Sequence, residues 1–402
     1  MINLAPHHTA KQRVHSVRYC ASPALYALCL LPLCALPFSP LVCFVGAFLC
    51  LFAFHNGLDS VSRVILGISL VLSGSVVYAS RVYFNWEGDD FIRYYQTYKL
   101  LLEGNIKGIQ AYGIECGLSL WHIALIALFG ELSPAGLLFW TILPPSILFL
   151  IWLEKYAMQG LDDSQKAICI FLSFLFFDFY IASEYTRQFY SSIFILYALS
   201  VVSMRAKIAF SLLACVFHLS ALLLLPPLFL LKKYPKFTLS LSLIALIVLS
   251  IGFGGLLLFY QAGILPKNLP LFDKLGFYIV IKPHSTIPNI IELFFIFLLF
   301  ASFLLRGDSF KARWFYFVIF FLLLYFALLF VHSGIAHRST ILLTTILLGF
   351  LLFVGLRQFF IFLLIFCALA FIYKLKVMLF GRDVFWLFES YPAFGEWFYF
   401  IS

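Results

Sequence analysis

The run 207-KIAFSLLACVFHLSALLLLPPLFLL-231 decides how this chain is folded. Its 25 residues are enough for one membrane-crossing helix. Basic residues flank it on both sides, in 204-MRAK-207 and 232-KKYPK-236. Short basic loops stay on the cytoplasmic side of a membrane, so both ends of this run belong there. A segment that starts and finishes on one side does not cross once. His218 and Ser220 stand at its middle, and 226-PP-227 beyond them removes two backbone donors and breaks a helix. The reading is a broken segment: 207–218 enters, turns near His218 and returns. Non-helical backbone at membrane depth persists only where protein or water satisfies it, so the break marks a cavity.

The rest of the chain is of the same kind. Of 402 residues, 63% are hydrophobic, 50 are Phe and only 11% are charged, whereas soluble domains are about a quarter charged. This predicts an all-α, polytopic integral membrane protein with one transmembrane domain over 1–402. The expected helix count is about 11–13, some of them re-entrant or broken. The net charge of +9 falls in short breaks between apolar runs, where it signals topology and meets anionic lipid rather than nucleic acid. The stretch Pro23–Phe54 is too long for a signal-peptide core and lacks a cleavage site, so it reads as two helices split at 37-PFSP-40. Nine cysteines, an odd number without a CxxC, read as small packing residues. No P-loop, GxGxxG or zinc-ligand spacing is present, which excludes nucleotide-driven transport within this chain.

Apolar runs fall at 22–37, 41–55, 62–81, 117–130, 134–153, 166–182, 187–203, 207–231, 238–262, 288–305, 314–331, 338–355 and 358–373. With the N-terminal arm inside, three crossings put loop 82–116 outside. The basic breaks 204–207, 232–236 and 306–313 belong inside. The count of crossings then balances only if the short run 117–130 also fails to cross. Loops 154–166 (inside) and 183–187, 263–287 and 332–337 (outside) follow.

On this topology the informative polar residues gather at one face. In 88-GDDFIRYYQTY-98, Asp90, Tyr94 and Tyr98 share a helix face. They read either as a helix cap with interfacial tyrosines or as part of a site. In 114-IECGLSLWH-122, Glu115 reads as a solvated helix start and His122 as an interfacial ring. Glu184, Arg187 and Gln188 in 183-SEYTRQ-188 lie outside, where an orientation signal has no place; Arg187 either snorkels or binds an anion, and Glu184 is its nearest partner in sequence. His218, deep in an apolar run, needs a partner and is a functional candidate by default. In 332-HSGIAHRST-340, the two histidines lack a neighbouring carboxylate, and the cation Arg338 disfavours a metal; an anion pocket fits better. Arg187, Arg338 and His218 with Asp90 and Glu115 compose a cationic pocket edged by carboxylates, suited to a lipid-linked phosphate or pyrophosphate.

These motifs, in order and spacing, resemble the EpsG-like branch of bacterial polysaccharide polymerases. The resemblance rests on Arg187-Gln188 opening a helix, the break 205-RAK-207, 218-HLSA-221, the acidic 90-DFIRYYQTY-98, 115-ECG-117 and Arg338 opening a late helix. It covers roughly residues 85–355. It implies a Wzy-type O-antigen or capsule polymerase of the bacterial inner membrane with its active face periplasmic and a fold related to GT-C-like membrane glycosyltransferases. Loops 82–116 and 263–287 are then periplasmic. The implied donor and acceptor are undecaprenyl-pyrophosphate-linked oligosaccharides, with no metal and no cofactor; a chain-length regulator and a flippase are the protein partners such a system leaves room for. In this reading Arg187 and Arg338 hold the pyrophosphate, helped by His337, and Gln188 orients a phosphate oxygen or sugar hydroxyl. Asp90, then Glu115, takes the acceptor proton, and His218 either holds a phosphate or is the base. Tyr94, Tyr95, Tyr98 and Trp86 offer faces to sugars, and loop 263–287 closes over the substrates. The rival readings are a lipid-linked glycan ligase and a flippase or other transporter; an acyltransferase is weaker, since no His-x4-Asp pair is formed.

Overall fold

The computed structural model describes residues 22–81, 89–262, 290–305, 307–329 and 333–380, and every regular element among them is helical. Leu224–Thr344 form one compact unit; the described residues before Leu224 and after Thr344 form the other.

The larger unit opens with α1 (Pro23–Ala35), α2 (Pro40–Ala53) and α3 (Ser60–Ala79). Ser-Pro starts both of the first two helices. Ser22 and Ser39 each accept an otherwise free backbone N–H, and the proline that follows needs none. The same pair, Ser133-Pro134, opens α6 (Pro134–Trp152). The expected split at 37-PFSP-40 is therefore a capped helix start.

Helix α3 serves as a ruler. Arg63 lies near its start and Arg81 just past its end, eighteen positions or about 27 Å apart at 1.5 Å per residue. At the Arg63 end its guanidinium meets Glu154, in the π-turn that ends α6, at 2.8 Å, and Asp163, which starts α7 (Asp163–Phe176), at 3.1 Å. At the Arg81 end, Arg81 binds Asp89 at 2.7 Å and the hydroxyl of Ser183 at 2.8 Å. Asp89 caps α4 (Asp90–Leu102), and Ser183 lies in α8 (Phe179–Glu184).

Helix α9 (Thr186–Ser200) leaves α8 at the Arg81 end and reaches the other, where the Trp152 indole N–H donates to Ser200 at 2.8 Å. It runs in the same direction as α6: the Tyr190 and Tyr197 hydroxyls donate to the carbonyls of Thr141 and Leu148. So α6 begins at the Arg81 end. The chain leaves that end at Asp89 and is back at Ser133, which means α4 and α5 (Gly117–Phe129) make no net crossing. Run 117–130 is the non-crossing segment that the loop charges called for. Helix α10 (Met204–Phe217) returns antiparallel to α9, with Phe210 against Tyr197 and Phe217 stacked on Tyr190 at 4.7 Å.

The run 207–231 is broken, and the break is at His218. Helix α10 stops at Phe217, His218 is extended (φ −156°, ψ 127°), and α11 (Ser220–Lys233) begins anew. The prolines play a different part from the expected one. Pro226 and Pro227 lie inside α11 without ending it, as Pro144 and Pro145 lie inside α6; membrane helices tolerate proline because neighbours re-satisfy the freed carbonyls. A further break was not expected: run 166–182 is split at Phe177–Asp178, where Asp178 accepts the N–H groups of Tyr180 and Ile181 and caps α8.

The smaller unit holds most of α11, then α12 (Pro235–Gln261), α13 (Ile290–Leu304), α14 (Ser309–Leu329) and α15 (Ser333–Ser339). Lys311 is 3% exposed, and its ammonium donates to the Ser302 and Leu305 carbonyls, closing the end of α13 where a cation is favoured. In the larger unit the chain resumes with α16 (Leu348–Leu356) and α17 (Phe360–Phe380). Gly349 packs on α7 so closely that a Cβ would meet the Leu172 carbonyl oxygen at 2.0 Å. By length and composition, Ser60–Ala79, Pro134–Ala157, Ser309–Leu329 and Phe360–Leu379 are able to cross a membrane singly. Breaks divide other apolar runs into shorter helices, such as the 14 residues of α7 and of α10.

Candidate active site

The site is built where helices stop. Gly117 is the first residue of α5, and a Cβ there would lie 2.8 Å from the Phe217 ring and 3.1 Å from its Cα. Glycine lets the start of α5 rest on the end of α10. That contact carries Glu115 to the chain break, where it accepts the Leu219 N–H at 2.8 Å on Oε1. Its other oxygen, Oε2, takes the ion pair with Nη1 of Arg187, the second residue of α9. Glu115 is 8% exposed. A solvated helix start was expected here. The carboxylate is buried because it satisfies a guanidinium and an orphan N–H at the start of α11.

Aromatic rings enclose the guanidinium. Arg187 Cζ lies 4.3 Å from the centre of the Tyr112 ring and 5.9 Å from that of Tyr94, and the two rings meet edge to face. The Tyr112 hydroxyl bonds Thr97 on α4 at 2.8 Å. Burial pushes the Tyr112 phenol up to about 12 and raises that of Tyr94 further; the charge of Asp90 adds to both shifts and that of Arg187 opposes them. Asp90 therefore shares the electrostatic environment of this cluster. Both phenols stay protonated at neutral pH.

His218 stands at the same break. Its Nδ1 accepts the Ser220 N–H at 3.1 Å and lies 3.8 Å from Glu115 Oε1, beyond hydrogen-bond reach. Arg187, Glu115 and His218, which are far apart in sequence, meet here with Tyr94 beside them, and Gln188 follows Arg187 on α9. Tyr112 was missed. Its signal was an aromatic three residues before an acidic helix start.

A family model described as the EpsG family matches residues 64–388. The chain belongs to the EpsG family. Membership makes this membrane protein polysaccharide-polymerase-like and places it in polysaccharide biosynthesis. Among curated proteins and among solved structures, none matches the chain.

Other expected positions of this EpsG-family chain fall elsewhere. Tyr98 is fully buried: its hydroxyl donates to the Gly130 carbonyl at 2.6 Å and accepts the Leu132 N–H at 2.8 Å, so it fastens the end of α5 to α4 and has no face to offer a sugar. His122 is not interfacial; it is fully buried, edge-on to Tyr98. Glu184 was the expected partner of Arg187, but Glu115 takes that place. His337 and Arg338 lie on α15 in the smaller unit, where His337 Nδ1 is 3.3 Å from Glu292 Oε1, a carboxylate 45 positions away that sequence proximity did not offer. Arg81 was read only as a helix end; it is 1% exposed and joins α3, α4 and α8. Trp86, His332 and loop 263–287 lie outside the described residues.

Proposed function

We propose that this chain joins lipid-linked oligosaccharide repeat units into an O-antigen or capsular polysaccharide, with undecaprenyl pyrophosphate as the carrier. The Arg81 end of α3 is the periplasmic face of the inner membrane in this reading. One observation supports it above the others. Glu115 is held as an anionic ligand would be held, by a guanidinium flanked by aromatic rings and by a backbone N–H at a helix start. A pocket that binds a carboxylate in this way offers the donors a pyrophosphate requires.

In the reaction, Arg187 neutralises the charge that gathers on the pyrophosphate as the glycosidic bond breaks. Tyr94 and Tyr112 keep the guanidinium flat and partly dry, which strengthens its field. Gln188 orients a phosphate oxygen or a sugar hydroxyl. Glu115 has both oxygens committed, so Asp90 takes the proton of the acceptor hydroxyl. No metal enters this scheme.

The test is complementation of a deletion strain. Arg187→Ala is expected to leave single repeat units capped on the lipid core, and Arg187→Lys to restore little, since a point charge does not replace a fork. Normal long-chain product from Arg187→Ala overturns the site. Accumulation of unligated long chains in the deletion strain means a ligase instead. Failure of the purified protein to act on lipid-linked units without a gradient means a transporter.

A further inference from the structure

The polar groups at this site include one imidazole, His218, whose role in proton transfer the sequence leaves open, and the chain break there fixes its tautomer. Helix α11 starts with N–H groups that have no partner within the helix. The Leu219 N–H goes to Glu115 at 2.8 Å, and the Ser220 N–H goes to His218 Nδ1 at 3.1 Å. A backbone N–H only donates. Nδ1 therefore carries a lone pair, and the proton of the neutral ring sits on Nε2. Glu115 does not reverse this, because its nearer oxygen is 3.8 Å from Nδ1 and is engaged by Leu219. The opposite tautomer would break the Ser220 bond and orphan that N–H, which disfavours it by on the order of tenfold or more. The side chain is 28% exposed, so a ligand reaches the ring.

We infer that His218 is a hydrogen-bond donor to the departing pyrophosphate through Nε2–H, and is not the base that deprotonates the acceptor; this rests on the polymerase reading above. The bond between the donor sugar C1 and the pyrophosphate oxygen breaks, and its electron pair stays on that oxygen. The acceptor oxygen forms the new bond to C1, and its proton passes to the Asp90 carboxylate. His218 keeps its proton and shares it with the phosphate oxygen, beside Arg187. Glu115 is a positioning residue in this scheme: by taking the Leu219 N–H it leaves Ser220 to fix the imidazole.

Two substitutions separate donor from base. In His218→Asn the amide oxygen takes the place of Nδ1 and holds the turn, but nothing replaces Nε2–H. In His218→Gln the amide nitrogen takes the place of Nε2 and donates. The assay is the initial rate of purified protein on synthetic undecaprenyl-pyrophosphate repeat units, with thermal unfolding to check folding. We expect His218→Gln to stay within about tenfold of the parent and His218→Asn to fall by about a hundredfold or more, the usual effect of losing one oxyanion donor. Full activity of His218→Asn, or a His218→Asn variant restored by free imidazole in proportion to its neutral base form, overturns the inference. If Arg187→Ala, run alongside, is as active as the parent, the polymerase site itself is wrong. If Arg187→Ala is inactive and His218→Asn is fully active, only the role of His218 is wrong. Should the variants not fold, nitrogen-15 labelling of histidine in the parent protein gives the answer directly: a pyridine-like Nδ1 with a pyrrole-like Nε2 supports the donor, and the reverse pattern overturns it.

Discussion

Glu115 and Arg187 support each other strongly enough to measure without any substrate. Their side chains are 11% and 22% exposed, between the surface and buried cases. Exposed pairs contribute about 0–1 kcal/mol, while removing one partner of a buried pair costs about 3–5 kcal/mol. At this burial Glu115→Ala loses about 2 kcal/mol through Arg187 and about 1 kcal/mol more through the Leu219 N–H, or about 3 kcal/mol together. Glu115→Gln keeps an oxygen for Leu219 and loses the charge, so it costs about 2 kcal/mol. Arg187→Ala also gives up its stacking on Tyr112, a loss that belongs to Arg187 alone and cancels in a double-mutant cycle. The double variant Glu115→Ala/Arg187→Ala leaves no uncompensated charge, and the cycle should return a coupling of about 2 kcal/mol, a factor of about 30 in the unfolding equilibrium. The assay is SDS-induced unfolding in mixed micelles, followed by circular dichroism. Additivity within about 0.5 kcal/mol would refute the pairing as an energetic feature of the site.

Gly349→Ala forces a Cβ onto the Leu172 carbonyl, which the α7 backbone cannot move aside, and should cost about 3 kcal/mol or more in the same unfolding assay; Gly252→Ala, with no atom within 4 Å of its Cβ, should be neutral or gain up to about 1 kcal/mol. Equal stabilities for these two variants would contradict the helix contact. Tyr98→Phe orphans the Leu132 N–H and should lower stability by about 1–3 kcal/mol, read as a fall in melting temperature. Raising pH should also destabilise the loop: folding lifts the Tyr112 phenol from its ordinary value near 10 to about 12, so the folded state holds a proton that the unfolded state releases. That contribution is complete below about pH 10 and is lost as pH rises towards about 12, and Tyr112→Phe should flatten the decline in stability over that window.

Much of the fold follows from charge placement and apolar run length. Loop charges alone require that 117–130 not cross and that 207–231 turn at its middle. They suffice because Lys and Arg report sidedness, whatever the helix between them does. The break at Phe177–Asp178 was also written in the chain, as the single acid in 174-FLFFDFY-180, but a run of this hydropathy hides one capping residue. The prolines misled because Pro-Pro breaks an isolated helix and not necessarily a packed one, as Pro144 and Pro145 show inside α6. Individual site residues were legible by type and by face. Their pairings were not, since Glu115 and Arg187 stand 72 positions apart and meet through the glycine contact of α5 on α10.

Three arginines of the larger unit show why the proposed chemistry falls to Arg187. Arg63 uses Nε and both terminal nitrogens on Glu154 and Asp163, and is 1% exposed. Arg81 does the same with Ser183 and Asp89, at the same exposure. Both are cross-links: every nitrogen is engaged by protein, and at 1% exposure neither side chain meets a ligand without dismantling the helices it joins. The same residue type at the same end of α3 thus serves two purposes, since Arg81 fastens the start of α4 to the end of α8 while Arg187 follows one turn after Ser183. Arg187 binds one carboxylate oxygen through Nη1, its Nε has no hydrogen-bond partner, and it is 22% exposed. A part-exposed guanidinium that spends one nitrogen on a single carboxylate oxygen, set against the Tyr112 ring, has capacity left for an anion. Substitution should sort them accordingly: Arg81→Met should lower stability by about 3–5 kcal/mol by leaving the Asp89 carboxylate buried without its cation, and activity should fall only as far as folded protein does. Arg187→Lys should leave the fold largely intact and still remove activity. If Arg81→Met were stable and inactive, the division between cross-link and site would be drawn in the wrong place.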